Sequence, residues 1–95
     1  MTYDLNEEKK RLMSSASRCY INFAEDIIPI LKERHYSQHM VFDLLSNEKN
    51  HFELDGENIV VTGFINHDID TFTVKRNDDN ALYDYTVIGV EEKYW

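Results

Sequence analysis

The sequence has one cysteine, one proline, three glycines and no long apolar run. Its lone Cys19 excludes an internal disulfide, whereas secreted domains of this size usually depend on several. No stretch approaches the roughly 20 apolar residues that a membrane-spanning helix needs. The charged N-terminal segment also lacks the apolar core of a secretory signal peptide. We therefore expect a cytoplasmic protein, in the host cytoplasm if the gene is viral.

The length of the chain limits its architecture. Ninety-five residues, of which 42% are hydrophobic and 13% aromatic, suffice for one compact core and leave no room for a second. The sequence contains no internal repeat and no low-complexity segment. We therefore expect a single domain over residues 1–95, built mostly of regular elements that short loops connect.

Positive charge is scarce, and the acidic excess is concentrated in the second half of the chain. The net charge is −8. Residues 1–47 have seven acids against six bases, whereas residues 48–95 have eleven acids against four bases. Such a surface repels phosphate backbones, so direct binding to nucleic acid is disfavoured. It attracts a basic partner, whose approach it steers.

The first half of the chain has the periodicity of helices. Apolar residues recur at spacings of three and four over residues 5–28. Pro29 is expected to kink this long helix before it ends near Arg34. Ser37 is a typical N-cap residue for a shorter second helix over the next ten residues. Residues 1–48 are therefore predicted to be the helical part.

The second half has the alternation of strands. Two strands flank the pair Asp55-Gly56, which tolerates the positive φ of a tight hairpin turn. Two more strands, with the sequences DTFTVKR and ALYDYTVIGV, follow the joining segments NHDI and NDDN. Residues 50–92 are therefore predicted to form a four-stranded antiparallel β-meander. With the helices packed on one face of this sheet, the fold class is α+β.

Catalytic and metal-binding motifs are scarce as well. The sequence has no nucleophile elbow, P-loop, dinucleotide-binding glycine motif or HExxH motif. His35, His39 and Asp43 have the spacing of ligands on one helix face, but Ser37 is expected to start a new helix between the two histidines. His67 lies beside acids but belongs to no closed four-ligand pattern. We therefore expect no enzymatic activity, metal or cofactor; the alternative is a small metal-dependent domain that uses these histidines.

Two acidic clusters of the second half, HDID at residues 67–70 and NDDN at residues 77–80, lie where hairpin loops are expected. Asp and Asn are common in turns, so one interpretation is a set of turns with a solvated acidic surface. The other is a recognition surface, because carboxylates two residues apart on a strand are about 6.5–7 Å apart and resemble rows of phosphates. Tyr94 and Trp95 add aromatic side chains of the kind that anchor interfaces. The residues predicted to contact a partner are Glu53, Asp55, Glu57, Asp68, Asp70, Asp78, Asp79, Asp84, Glu91, Glu92, Tyr94 and Trp95.

These features favour a binding protein over an enzyme. The leading hypothesis is an acidic protein that occupies the basic surface of a nucleic-acid-handling protein. In its sharpest form this protein is a viral DNA mimic that inhibits a host defence nuclease, an anti-restriction role. One alternative is an immunity protein or antitoxin that neutralises a basic toxin. Another is a structural or assembly subunit, in which the N-terminal helix forms a homodimer or docks into a larger complex.

Overall fold

The computed structural model describes residues 4–78 and 81–92 and confirms the α+β class. Within these residues, three helices precede a β-meander, and a short additional strand lies between the first two helices. In chain order the elements are α1 (Leu5–Ser17), β1 (Asn22–Phe23), α2 (Ile27–Glu33), α3 (Gln38–Leu45), β2 (His51–Asp55), β3 (Asn58–Ile65), β4 (Asp68–Arg76) and β5 (Tyr85–Glu92).

The sheet has five strands in the order β1-β5-β4-β3-β2. Strands β2 to β5 form the predicted antiparallel meander. The prediction of a purely antiparallel, four-stranded sheet is wrong, because β1 pairs in parallel with β5 through Asn22 and Thr86 and through Phe23 and Val87. A strand of two residues is too short to produce a readable alternation in the sequence.

The long, kinked helix predicted for the first half does not form. Helix α1 ends where Cys19 adopts a left-handed φ of 57°, and the amides of Cys19 and Tyr20 donate to carbonyls of the last helical turn. This pattern is a Schellman motif, and His35 ends α2 in the same way with a φ of 61°. Glycine usually takes this position, so its absence removed the signal that would have marked both helix ends.

Pro29 lies in the first turn of α2 and produces no kink. Helix α2 begins at Ile27, and the first N–H groups of a helix have no acceptor within the helix. The missing N–H of Pro29 therefore leaves no carbonyl unsatisfied. Helix α3 begins as predicted, because the Oγ of Ser37 accepts a hydrogen bond from the Met40 amide at 3.1 Å.

Two-residue turns join the first three strands of the meander. The β2–β3 turn consists of Gly56 and Glu57, one residue later than predicted, because the strand pairing includes Asp55. Gly56 has a φ of 63°, which glycine adopts without strain. The β3–β4 turn consists of Asn66 and His67, with φ values of 49° and 74°, as a type I′ hairpin requires. His67 is thus a turn residue.

All three helices pack on one face of the sheet, which we call the covered face. On β3 and β4 this face includes the paired residues Val61 and Phe72, both fully buried. The opposite face, which we call the open face, has none of these helices over it. The buried apolar side chains of the core are Leu12, Ala16, Ile21, Phe23, Ile27, Leu31, Tyr36, Val41, Phe42, Leu44, Leu45, Phe52, Ile59, Val61, Ile65, Phe72, Val74, Tyr85 and Val87.

Candidate functional site

The open face consists of alternate residues of β2 to β5 that point away from the helices. Strand pairing arranges their side chains in four rows across the sheet. No helix of the described residues lies over these rows, so their side chains face solvent. From one end of the face to the other, the rows are Phe64 and Ile69; His51, Thr62, Thr71 and Glu91; Glu53, Val60, Thr73 and Gly89; and Asp55, Asn58, Lys75 and Thr86.

The first row forms an exposed apolar end of the open face. Phe64 is 75% exposed, and it pairs with Ile69 on the neighbouring strand. Both side chains line an open groove of about 930 Å³, together with His51 and Asn50. An exposed aromatic ring beside a groove is a feature of interaction sites, because isolated soluble domains bury most of their large apolar side chains.

The wall of this groove has a defined structure. The side chain of Asn50 donates a hydrogen bond to the Leu44 carbonyl at 2.7 Å and packs against the α-carbon of Gly63. A Cβ at position 63 would clash with this side chain. Glycine at this position therefore lets the α3–β2 segment close against β3 beside Phe64.

A second, acidic groove of about 540 Å³ continues along the open face. Glu53 and Asp55 on β2 form one side of it, and Glu91 on β5 forms the other. Its floor includes the short side chains of Val60 and Thr73. The carboxylates therefore stand at the margins of a flat centre rather than in one compact cluster.

Several of the predicted contact residues lie in strands. Among them, the carboxylates on the open face have the fewest hydrogen-bond and ion-pair partners. The Glu53 carboxylate lies 3.8 Å from the Nε2 atom of His51. The side chains of Asp55 and Glu91 form no hydrogen bond or ion pair with any residue in the described part of the chain. Lys75, in the last row with Asp55, is the one lysine among these rows. The face therefore has unpaired negative charge at its margins.

Other predicted contact residues have partners on the helical side of the sheet. The Ser15 hydroxyl donates to Asp84 at 3.3 Å, and Arg11 lies 3.9 Å from the same carboxylate. The Tyr36 hydroxyl donates to Asp68 at 3.3 Å. These two acids therefore connect the sheet to the helices and do not extend the open face.

The remaining predicted residues are dispersed. Glu57 lies in the β2–β3 turn, and Asp78 lies in the loop that follows β4. Glu92 lies opposite Asp70 on the covered side, where its charge contributes to the electrostatic environment of Arg34. Asp79, Tyr94 and Trp95 lie outside the described residues, so their predicted contacts keep the status of predictions.

Asp70 is inaccessible to a partner, which removes it from the predicted contact surface. Its side chain is fully buried and accepts a hydrogen bond from the Arg34 guanidinium at 3.0 Å. Burial alone would lower the pKa of Arg34, but the charge and hydrogen bond of Asp70 outweigh it and raise the pKa above its ordinary value. One Asp70 oxygen, Oδ1, is buried without a hydrogen-bond partner among the described residues. This acid therefore stabilises the attachment of α2 to the sheet.

Glu8 anchors α1 by a second buried network, which the sequence analysis did not identify. Its carboxylate accepts hydrogen bonds from the Tyr85 hydroxyl at 2.7 Å and from Arg76 at 2.8 Å. Burial and the hydrogen bond to Glu8 raise the pKa of Tyr85 above its ordinary value. In the sequence, Glu8 was indistinguishable from its exposed neighbour Glu7, because the contacts are supplied by residues 68 and 77 positions away.

The histidines are not gathered into a metal site. Across residues 4–78 and 81–92, no three His, Cys, Asp or Glu side chains form a group that could hold a metal ion. His35 ends α2 and His39 belongs to α3, on either side of the cap at Ser37. The Sγ atom of the exposed Cys19 lies 3.9 Å from the Nδ1 atom of His39, and no third ligand from the described part of the chain completes a metal-binding group with this pair.

Phe64 and Ile69 are the candidate binding residues that the sequence analysis missed. The alternation of Ile59, Val61 and Ile65 assigns one face of β3 to the core, which leaves Phe64 on the opposite face. A large aromatic residue on the solvent side of an alternating strand was the available signal.

None of the described helices combines the length and the apolar character that crossing a membrane requires.

The candidate site is an open sheet face with an apolar end and acidic margins. No protein-family model, no curated protein and no solved structure matches this chain.

Proposed function

We propose that the protein is a non-enzymatic acidic binding protein whose open face occupies a basic surface of a nucleic-acid-handling protein. One observation carries this proposal. The carboxylates of Glu53, Asp55 and Glu91 surround an uncovered groove, whereas Asp68, Asp70 and Asp84 already have partners. Among the described residues, Asp55 and Glu91 have no side-chain partner and Glu53 lies only near His51, so these carboxylates can pair with cations of another molecule.

The overall charge supports the same conclusion. The net charge of −8, most of it in the second half of the chain, steers a basic partner toward the sheet-forming half of the molecule. The exposed ring of Phe64 adds apolar area at the same face. Interfaces that combine an aromatic anchor with charged margins have the usual composition of protein–protein recognition sites.

DNA mimicry is the sharper form of the proposal. Glu53 and Asp55 lie two residues apart on one face of β2, so their carboxylates are about 7 Å apart. Such a spacing presents negative charge along a line, as a phosphate backbone does. A viral inhibitor of a host defence nuclease would use this row to compete with DNA.

A pulldown with matched charge variants tests the proposal. The bait proteins are the wild type, the triple variant E53Q/D55N/E91Q and the control variant E25Q/D26N/E33Q, whose altered residues are exposed on the helical side of the molecule. Both variants lose the same formal charge. We expect basic proteins bound by the wild type and the control to be lost from E53Q/D55N/E91Q and to elute as salt rises from 50 to 300 mM.

Added DNA separates the two forms of the proposal. Displacement of the captured protein by duplex DNA supports mimicry. A partner that resists both DNA and salt supports the immunity-protein alternative, in which the apolar end of the open face contributes more of the affinity. Equal capture by the two charge variants would contradict the assignment of the open face.

A further inference from the structure

The shape of the open face specifies the kind of segment that it binds; this inference rests on the proposed function. Glu53 and Glu91 stand on β2 and β5, which are separated by two intervening strands. At about 4.8 Å per strand, the two acidic margins are about 14 Å apart. An α-helix with its side chains is about 10–12 Å wide. One helix therefore fits between the margins.

The centre of the face is low enough to receive a helix. Between the acidic margins it presents Val60, Thr71, Thr73 and the bare backbone of Gly89. A Cβ at position 89 would lie 3.3 Å from the Cβ of Thr73, so a side chain there would crowd the floor. The short side chains at the centre leave room for the apolar stripe of a helix to pack on the strands.

The length of the face sets the spacing of recognition groups along that helix. The row of Phe64 and Ile69 lies two rows from the row of Glu53 and three rows from the row of Asp55. Each row is about 6.6 Å from the next, so these separations are about 13 and 20 Å. At 1.5 Å per residue, they correspond to about nine and thirteen helical residues. The nearest positions on the helix face of the apolar residue are i+7 and i+11, and a long arginine side chain spans the remaining distance of about 3 Å.

Charge decides between a second copy and a different protein as the occupant. A second copy with the same face would bring Glu53, Asp55 and Glu91 against like charges, in a chain with a net charge of −8. Like charges opposed across an interface weaken association. A basic segment instead gains a carboxylate on either side of its axis.

We propose that the open face binds one amphipathic, basic helix of a partner protein. A large apolar side chain of this helix packs over Phe64 and Ile69. Lysine or arginine side chains two to three turns further along the same helix face pair with Glu53 and Asp55, whereas Glu91, one row from Phe64 and Ile69, accepts a basic side chain on the other side of the helix. This arrangement fixes both the composition and the direction of the bound helix.

Two synthetic peptides of identical composition test this geometry by isothermal titration calorimetry. Both are helices fixed by a lactam bridge on the solvent side, in an alanine–glutamine host. The matched peptide has Leu at position i and Arg at i+7 and i+11, which share one face. The mismatched peptide has the same Leu but Arg at i+5 and i+9, on the opposite face. We expect the matched peptide to bind at least tenfold more tightly to the wild-type protein.

Two single-site variants locate the apolar end of the peptide. F64S removes the exposed ring of the open face, and L82S removes a comparably exposed side chain, 72% accessible, in the loop before β5. Neither position contributes to the core, so both variants should fold. We expect F64S to weaken the matched peptide at least fivefold and L82S to leave its affinity within twofold of the wild type.

The outcomes distinguish this inference from the proposed function. If both peptides bind equally and E53Q/D55N/E91Q weakens both, the acidic surface is correct and the helix geometry is wrong. If neither peptide binds, or if sedimentation shows that a second copy of this chain covers the open face, the inference is overturned. If matched binding is strong and unaffected by E53Q/D55N/E91Q, both the inference and the proposed function are wrong.

Discussion

Phe64 and Phe72 lie on adjacent antiparallel strands, eight residues apart, but on opposite faces of the same sheet. Phe72 is fully buried under the helices, whereas Phe64 is 75% exposed. The acids divide in the same way, since Asp70 is buried against Arg34 while Glu91 faces solvent. The face of the sheet on which a residue lies therefore decides whether it stabilises the fold or is available to a partner.

Alanine substitutions of Phe72 and Phe64 should give the largest difference in stability between the covered face and the open face. Phe72→Ala should lower the free energy of unfolding by about 3–5 kcal/mol, because it leaves a cavity under the helices. Phe64→Ala should change it by no more than about 0.5 kcal/mol, since the ring is largely solvated already. Urea unfolding followed by circular dichroism measures both. Similar losses in the two variants would show that the open face is covered in solution.

Breaking the Arg34–Asp70 pair should have the next largest effect. Arg34→Met leaves the buried Asp70 carboxylate without its cationic partner, so we expect a loss of about 3 kcal/mol. Lys75→Met removes a cation of the open face and should change stability by no more than about 0.5 kcal/mol. Urea midpoints at pH 7 provide the comparison. An equal effect of the two substitutions would contradict the structural role assigned to Asp70.

The hydroxyl of Tyr85 should contribute less to the free energy of unfolding than the Arg34–Asp70 pair does. Tyr85→Phe removes the 2.7 Å hydrogen bond to Glu8 while keeping the buried ring, so we expect a loss of about 1.5 kcal/mol. Thr73→Val, a similar exchange of a hydroxyl on the open face, should change stability by no more than about 0.5 kcal/mol. Thermal unfolding of both variants tests this difference. A neutral Tyr85→Phe would mean that Glu8 is satisfied in another way.

Alkaline pH should lower the free energy of unfolding through two tyrosines of the covered face. Burial raises the pKa of Tyr36 and Tyr85 above the ordinary 10.0. The nearby negative charges of Asp70 and Asp68 add to the shift at Tyr36, and the hydrogen bond to Glu8 adds to it at Tyr85. The unfolded chain thus loses these protons first. Their contribution is complete below pH 10 and declines as the pH rises above that value.

The double variant Y36F/Y85F checks this pH dependence. Its stability should fall less steeply than that of the wild type between pH 9.5 and 11, because neither phenol is left to ionise in the unfolded chain. Urea unfolding at several pH values in this window measures the slopes. Parallel slopes for the two proteins would argue against buried, protonated phenols.

The class of the fold could be predicted from the sequence because the underlying signals are local. Alternation identified strands β2 to β5, and Ser37 correctly marked the start of α3. The helix ends at Cys19 and His35 could not be predicted, since both residues adopt a conformation that the sequence signals only through glycine. The two-residue strand β1 depends on its pairing with β5, which is a long-range contact without a local pattern.

The candidate site could be predicted only in part. The sequence indicates an acidic second half, but it does not show which acids share a face, because burial depends on where the helices pack. Asp70 and Glu91 look alike in the sequence, and only the position of Arg34 and the helices separates them. Phe64 differs from a core aromatic residue only by its place in the alternation of β3, which shows its exposure once the core face of that strand is known.

Methyl-resolved NMR during titration with the matched basic helix tests the central claim most directly. The methyl groups of Val60, Thr71 and Thr73 lie on the open face, whereas those of Val61 and Val74 lie on the covered face of the same strands. We predict that the first set shifts with saturation while the second set stays in place. Shifts confined to the covered face or to the helices would contradict the assignment of the open face as the binding surface.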